Sequence, residues 1–469
     1  MSKKTVSWII MIVIAVSIAM IPAPDGMAPK AMWFLGIFLA LVVGFILQPM
    51  PAGALTFLAL TLCSILGIAP VRDALAGWGS SVAWLVMSAF IIAKGFKKTG
   101  LGKRISLVIA KSIGTSTLRL GYAFSISELI IGPAIPSYTA RSGGIIYPLQ
   151  RSMSEFFNSY PTDKESADRC GSYFMQLGHQ MTNIIAAMFL TSSAINPLGV
   201  SIVYGVTGIE ITWPQWAMMC VVPGLILVFS VPFIMYRMCK PTVTKTPEAP
   251  KLAERLLKEM GPMSKGEKWQ LFVFIVCLTL WSTSIWTRLN ATAVALLGCS
   301  ILIVSDTVPW KEALDDYDAW TSMLTIGGLT ALSGFFTSLG IIDWSIAFFQ
   351  DKLSGVSQIV VYTVIILFYI YSHYCFASTT AHMVALMLPC LVLLIGAGMN
   401  PLLASFAMLV ASSIPGGLTH YASGPSPIFF GAGYVDIVTW WKNAFIISVI
   451  VTANWVIFGT LWWRLLGVF

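Results

Sequence analysis

Charge is what this sequence holds least of. Asp, Glu, Lys and Arg make up 10% of its 469 residues, where an ordinary soluble domain carries about 25%. Hydrophobic residues make up 57%, in long runs that recur from end to end, and this excludes a soluble globular chain. The runs are unbroken rather than alternating, which excludes a membrane β-barrel. What remains is an all-α polytopic membrane protein, because in lipid only helices or closed barrels satisfy the backbone. Histidine is scarce too, with four residues and no grouped acidic partners, so no metal centre and no cofactor are expected. Neither HExxH nor GxSxG occurs, and no intramembrane enzyme is expected. The eight cysteines include no CxxC pair and read as small core residues. The net charge of +8 does not imply a nucleic-acid partner, because Lys and Arg collect in the cytoplasmic loops of membrane proteins.

What is present is a series of apolar spans. The first half, 1–236, holds candidate spans at Val6–Ile21, Ala31–Gln48, Ala52–Ile68 and Ser81–Ala93. No small-residue cleavage site follows Ile21 cleanly, so the first run reads as a span rather than a signal peptide. A basic amphipathic segment, 94–119, follows and reads as interfacial. Residues 120–150 are too polar and too rich in Gly and Pro for a simple span, and read as a re-entrant hairpin tipped by Ser137-Tyr138-Thr139. A broken span, 173–203, and a span, 216–235, complete this half. The charged stretch 237–268 is a cytoplasmic linker.

The second half, 269–469, repeats the plan. Spans at Trp269–Trp286, Ala291–Val304 and Trp320–Phe336 lead to an interfacial segment, Ile341–Lys352. A hairpin, 356–394, carries Ser378-Thr379-Thr380, and a broken span, 402–434, precedes a last span, Ala444–Trp463. The two tips lie 241 residues apart. Matching discontinuous helices in two halves point to a transporter site. With each hairpin counted as no crossing there are about 11 transmembrane helices, an odd number, so the halves run in opposite senses as inverted repeats. With the N-terminus cytoplasmic, the cytoplasmic segments hold 22 of the 28 Lys and Arg.

Helix breaks expose backbone N–H groups at half-helix N-termini, where anions bind. Ser137, Tyr138, Thr139, Ser378, Thr379 and Thr380 add hydroxyls, and Asn196 adds an amide. Ser423 and Gly424 lie in the second broken span. Such a site suits two carboxylates, one facing each half. Thr191, Ser192, Thr419, His420 and Glu128 are further contributors. His420 and His179 also read as hydrogen-bonded interior residues, and His373 as structural.

The run Pro136-Ser137-Tyr138-Thr139-Ala140-Arg141-Ser142-Gly143-Gly144, with Thr419-His420-Tyr421 and Gly424-Pro425-Ser426-Pro427, resembles the divalent anion:sodium symporter (DASS) family. Its nearest branch is the CitT-like and plastid 2-oxoglutarate/malate exchangers. The resemblance covers essentially the whole chain. It implies a homodimer in the bacterial plasma (inner) membrane, with a scaffold and a moving transport domain in each subunit working as an elevator. In the sodium-coupled branch each tip reads Ser-Asn-Thr-Ala-Thr. Here Tyr138 and Thr379 replace the Asn, and Arg141 and His382 stand two residues beyond each triplet. Fixed basic side chains there imply charge compensation without sodium, hence exchange of small dicarboxylates by antiport. The alternatives are a sodium- or proton-coupled di- or tricarboxylate symporter with Glu128 as proton carrier, and for Arg141 a pair with Glu128 across the hairpin.

Overall fold

The computed structural model describes residues 2–468 and is helical almost throughout; among those residues no β-strand forms, apart from one isolated bridge between Ser116 and Lys245. Among the described residues four helices are long and apolar enough to cross a membrane: Trp213–Cys239, Gln358–Cys375, Thr379–Gly396 and Ile437–Leu465. Two bent pairs raise the number to six, and five shorter apolar helices accompany them. Local sequence explains where helices begin and stop. Thr212 with Gln215 and Ser264 with Glu267 form capping boxes, each satisfying two backbone donors that would otherwise be orphaned. Asp436 caps the last long helix by accepting from the Thr439 amide at 2.9 Å.

The expected elements appear with shifted bounds. The helix expected to end at Ala93 runs on through Lys94 to Thr99, so the interfacial helix is Leu101–Ile113 alone. It stops at Gly100, whose φ of 77° is left-handed backbone that glycine adopts without strain. Gly340, with φ 73°, plays the same part between Tyr317–Ser338 and Ile341–Lys352; those two helices meet at 61°. The last span begins at Ile437 rather than Ala444, because Asp436 supplies a start signal in sequence otherwise read as a loop. Helix breaks fall within the stretches 120–150, 173–203, 356–394 and 402–434. Thr117–Ile131 leads through a break at 135–137 into Tyr138–Phe156, which contains a π-helical turn. Gln358–Ser372 leads through a break into Thr379–Gly396. Gly171–Met188 and Ile195–Thr207 flank a short 3-10 turn, as do Pro401–Ala411 and the irregular 418–425.

Packing sorts the helices into two groups. Lys3–Ala19, Ala31–Leu47, Ala52–Ile65, Ser81–Thr99, Lys265–Ser282, Ala291–Val304 and Tyr317–Ser338 pack on one another; the hairpins, broken spans, Trp213–Cys239 and the last helix form the second group, with Ile195–Thr207 packed against both Tyr317–Ser338 and Thr379–Gly396. Leu101–Ile113 and Ile341–Lys352 lead from the first group to the second. The linker helix Ala249–Met260 lies against Leu101–Ile113. There Lys111, with Lys258, holds the Glu254 carboxyl below its ordinary range. Arg104 grips Glu267 with two hydrogen bonds, 2.5 and 3.2 Å, and the Gly261 carbonyl with a third at 3.0 Å. The pair is partly buried, so removing Arg104 costs less than the about 3–5 kcal/mol of a fully buried pair, on the order of 2 kcal/mol for its charged hydrogen bonds. Arg104→Ala should therefore lower the detergent-solubilised melting temperature markedly. Lys251→Ala, which breaks an exposed pair with Glu248, should leave it nearly unchanged.

Candidate functional site

Both hairpin tips are built alike. Ser137 caps the helix that starts at Tyr138, its Oγ accepting from the Ala140 amide at 3.2 Å. Ser378 caps the helix that starts at Thr379, accepting from the Ala381 amide at 3.3 Å. A serine at such a position satisfies one of the free N–H groups of the first turn and leaves others available. The tips face each other across a cavity of ≈ 330 Å³. Ser137, Tyr138 and Thr139 line one side and Ser378, Thr379 and Thr380 the other, with Gly424 beside them. The wall contains no charged side chain. Two helix N-termini and several hydroxyls therefore converge on one space, an arrangement suited to an anion with two ends.

A second cavity of ≈ 550 Å³, termed the mouth, shares the lining residues Phe90 and Ser137 with the first. Lys94, Lys97 and Lys98 line the mouth opposite Glu312, Asp315, Asp316 and Asp318. Lys98 pairs with Glu312 at 2.7 Å and Lys94 with Asp316 at 3.5 Å.

Arg141 does not line the cavity. Its guanidinium turns inward, fully buried, and donates from Nε to Glu128 Oε1 at 3.1 Å. Nη1 donates to the carbonyls of Ile135 and Ser192, each at 2.9 Å, and Nη2 to that of Thr182 at 3.4 Å. Thr182 also donates its hydroxyl to Glu128. Direct charge compensation at the cavity wall, expected of Arg141, is thus corrected. Of the two readings open for this residue, the pair with Glu128 is present. The physical reason is that a guanidinium at membrane depth is tolerable when its donors meet a carboxylate and carbonyls.

His382 is corrected in the same way. It is 1% exposed, its Nε2 lies 3.1 Å from Ser372 Oγ, and its ring packs against Tyr369 and His373.

Other expected contributors lie behind the wall. Asn196 donates to the carbonyls of Ala186 and Phe189 at 2.7 and 2.9 Å. Ser192 reaches the carbonyls of Ile185, Ala186 and Phe189, and Thr191 that of Pro133 at 2.6 Å. Ser423 donates to the Gly416 carbonyl at 2.9 Å and meets Ser426, which meets His179 Nε2 at 2.8 Å. Thr419 is fully buried, and His420 accepts from Trp441 Nε1 at 3.1 Å. None of these six expected contributors lines the cavity, and Asn196, Ser192, Thr191 and Ser423 hold backbone carbonyls at the breaks.

Phe90, Ala194, Ile195 and Ala377 line the cavity without any signal in the sequence, since apolar residues in apolar spans look alike. His179 joins the network behind Gly424 through Ser426, a link visible only in three dimensions.

Gly424 is set by close approach. A Cβ there would lie 2.1 Å from Thr139 Oγ1 and 3.1 Å from Thr139 Cβ. Gly424→Ala should displace the first tip and raise the apparent KM about tenfold or more in vesicle uptake, while the protein still elutes as a folded species. Arg141→Thr alone strands Glu128, so it should cost about 3–5 kcal/mol and yield little folded protein. Adding Glu128→Gln should recover folding on size-exclusion chromatography.

Known proteins place this architecture. The solved structure of the Alcanivorax borkumensis YdaH transporter matches with a TM-score of 0.57 at 11% identity, covering 99% of this chain and 97% of that one. The Neisseria gonorrhoeae efflux pump MtrF matches equally, over 98% and 95%. At such identity the likeness shows the fold alone. YflS of Bacillus subtilis (strain 168), named for malate transport, is 40% identical over 99% of this chain and 97% of its own. Dicarboxylate transporter 1, chloroplastic, of Arabidopsis thaliana is 37% identical over 95% and 80%. The citrate/succinate antiporter of Escherichia coli (strain K12) is 37% identical over 92% of each chain. The family model described as the sodium:sulfate symporter transmembrane region matches residues 2–469. The chain belongs to that family, the divalent anion:sodium symporters, whose members are transporters rather than enzymes.

Proposed function

We propose that this protein exchanges small dicarboxylates of the malate, succinate and 2-oxoglutarate type across a bacterial plasma membrane. The observation that carries the reading is the cavity walled on opposite sides by two serine-capped hairpin tips. Each tip offers one carboxylate a set of hydroxyl and backbone donors. The relatives named for malate, dicarboxylate and citrate/succinate transport support the same substrate class. The shared order of elements in the two halves, with left-handed Gly100 and Gly340 at matching turns, supports inverted repeats. The two helix groups bridged by Leu101–Ile113 and Ile341–Lys352 support a scaffold and an elevator-type transport domain, with a homodimer as the working unit. With the N-terminus cytoplasmic, the mouth lined by Lys94, Lys97 and Lys98 opens inward.

Sodium independence is part of the proposal. Arg141 holds carbonyls from two separate helix breaks, Ile135 and Ser192, and unwound carbonyls are the groups that coordinate sodium in broken-helix transporters. The guanidinium keeps those carbonyls occupied, so they are not free to hold a sodium ion. The second reading, sodium- or proton-coupled symport, is favoured by the family model's own description. Counterflow in proteoliposomes decides between them. Vesicles loaded with malate should take up labelled malate in sodium-free buffer at an unchanged rate across external pH, and empty vesicles should not. Strict dependence on sodium, or on an imposed proton gradient, would sink the antiport reading.

A further inference from the structure

One contact crosses the cavity. The Tyr138 hydroxyl lies 2.8 Å from Thr379 Oγ1. These residues occupy the middle of the two triplets, and each is the first residue of the helix its serine caps. Among the described residues no other hydrogen bond joins tip to tip. Tyr138 reaches from one half of the chain to the other, whereas Thr379, 6% exposed, is held close to its own backbone. The gap between the tips is therefore spanned by one phenol side chain and one hydrogen bond.

We infer that the Tyr138–Thr379 hydrogen bond is a crossbar that sets the length of dicarboxylate the site accepts. The inference rests on the transport reading above and adds a specificity-determining residue to it. Ser137 and Thr139 flank the crossbar on one tip, and Ser378 and Thr380 on the other. A ligand gripped by both flanking pairs must separate its carboxylates by the distance the crossbar fixes. The bond also spends hydroxyl capacity: two hydroxyls carry two protons, and one of these is used between them. The pair thus keeps a single remaining donor, with Ser423 beside the Tyr138 hydroxyl. Each tip hangs from a helix start rather than from regular structure, so breaking the bond frees the tips to settle at other separations. A hydrogen bond of ordinary net strength corresponds to a discrimination of about tenfold.

The test uses the full chain in malate-loaded proteoliposomes. Inhibition of labelled malate uptake is measured with malonate, succinate, glutarate and adipate. Wild type should show a narrow optimum in chain length. Tyr138→Phe and Thr379→Val should each flatten it, the ratio of adipate to best-ligand inhibition constants falling about tenfold. The double variant should go no further, because both changes remove one bond. Thr379→Ser, which keeps the hydroxyl, should keep the wild-type length profile, and this separates loss of the bond from damage to the tip. An equal loss of affinity for every length would overturn the crossbar and make the two hydroxyls independent substrate contacts. An unchanged profile in both single variants would overturn it as well. Absence of dicarboxylate exchange by wild type would overturn the transport reading itself, together with this proposal, and is recognised before any variant is compared.

Discussion

A guanidinium at membrane depth has to be satisfied from every side, and the first half of this protein is arranged around doing so. Arg141 belongs to the helix that begins at the first tip, but its partners come from elsewhere. Glu128 lies on the opposite arm of the hairpin, Ile135 at the break itself, and Thr182 and Ser192 on the broken span. Satisfying one side chain thereby ties three discontinuous segments together. Neutral bonds reinforce the tie: the Ala194 amide donates to the Pro136 carbonyl at 3.0 Å, and Thr191 to that of Pro133. Irregular backbone survives in a membrane only where protein or a watery cavity covers it. Here the arginine supplies much of the cover, and the tip it supports forms one wall of the cavity.

The second half reaches a similar shape with no formal charge. Ser372 meets His382, Tyr369 meets Ser412 at 2.8 Å, and His373 lies 2.8 Å from the Ala422 carbonyl. Tyr421 donates to the Tyr374 carbonyl at 2.9 Å. The matching positions 141 and 382 are thus both buried and both absent from the cavity wall, but one anchors an ion pair and the other a cluster of tilted and edge-on rings. The two tips look alike from the cavity and differ behind it.

Much of this was legible in the sequence, for identifiable reasons. Gly and Pro breaks inside apolar runs marked the irregular backbone around 132–136 and 415–425, whereas the break before Thr379 carries neither residue and was marked only by its hydroxyls. The hydroxyl triplets marked the tips, because such residues cap half-helices. Boundaries were missed where a polar residue starts a helix instead of ending one, as at Asp436, or where a lysine-bearing turn simply continues the span before it, as from Lys94 to Thr99. Side-chain direction was not legible. Residue spacing put Arg141, His382 and Asn196 close to the tips, but which way a side chain turns depends on acceptors contributed by distant segments. The same holds for Phe90, whose place in the wall is set by the packing of its helix and not by its type.

The wall around the cavity is neutral. A dianionic cargo would be gripped there by dipoles and hydroxyl protons, with the Arg141 guanidinium off the wall and already matched by Glu128. Such a grip can be selective without being tenacious. A carrier must let go once in every half-cycle, and a bare ion pair in a low-dielectric pocket is slow to part. Placing the arginine off the wall would separate recognition from retention.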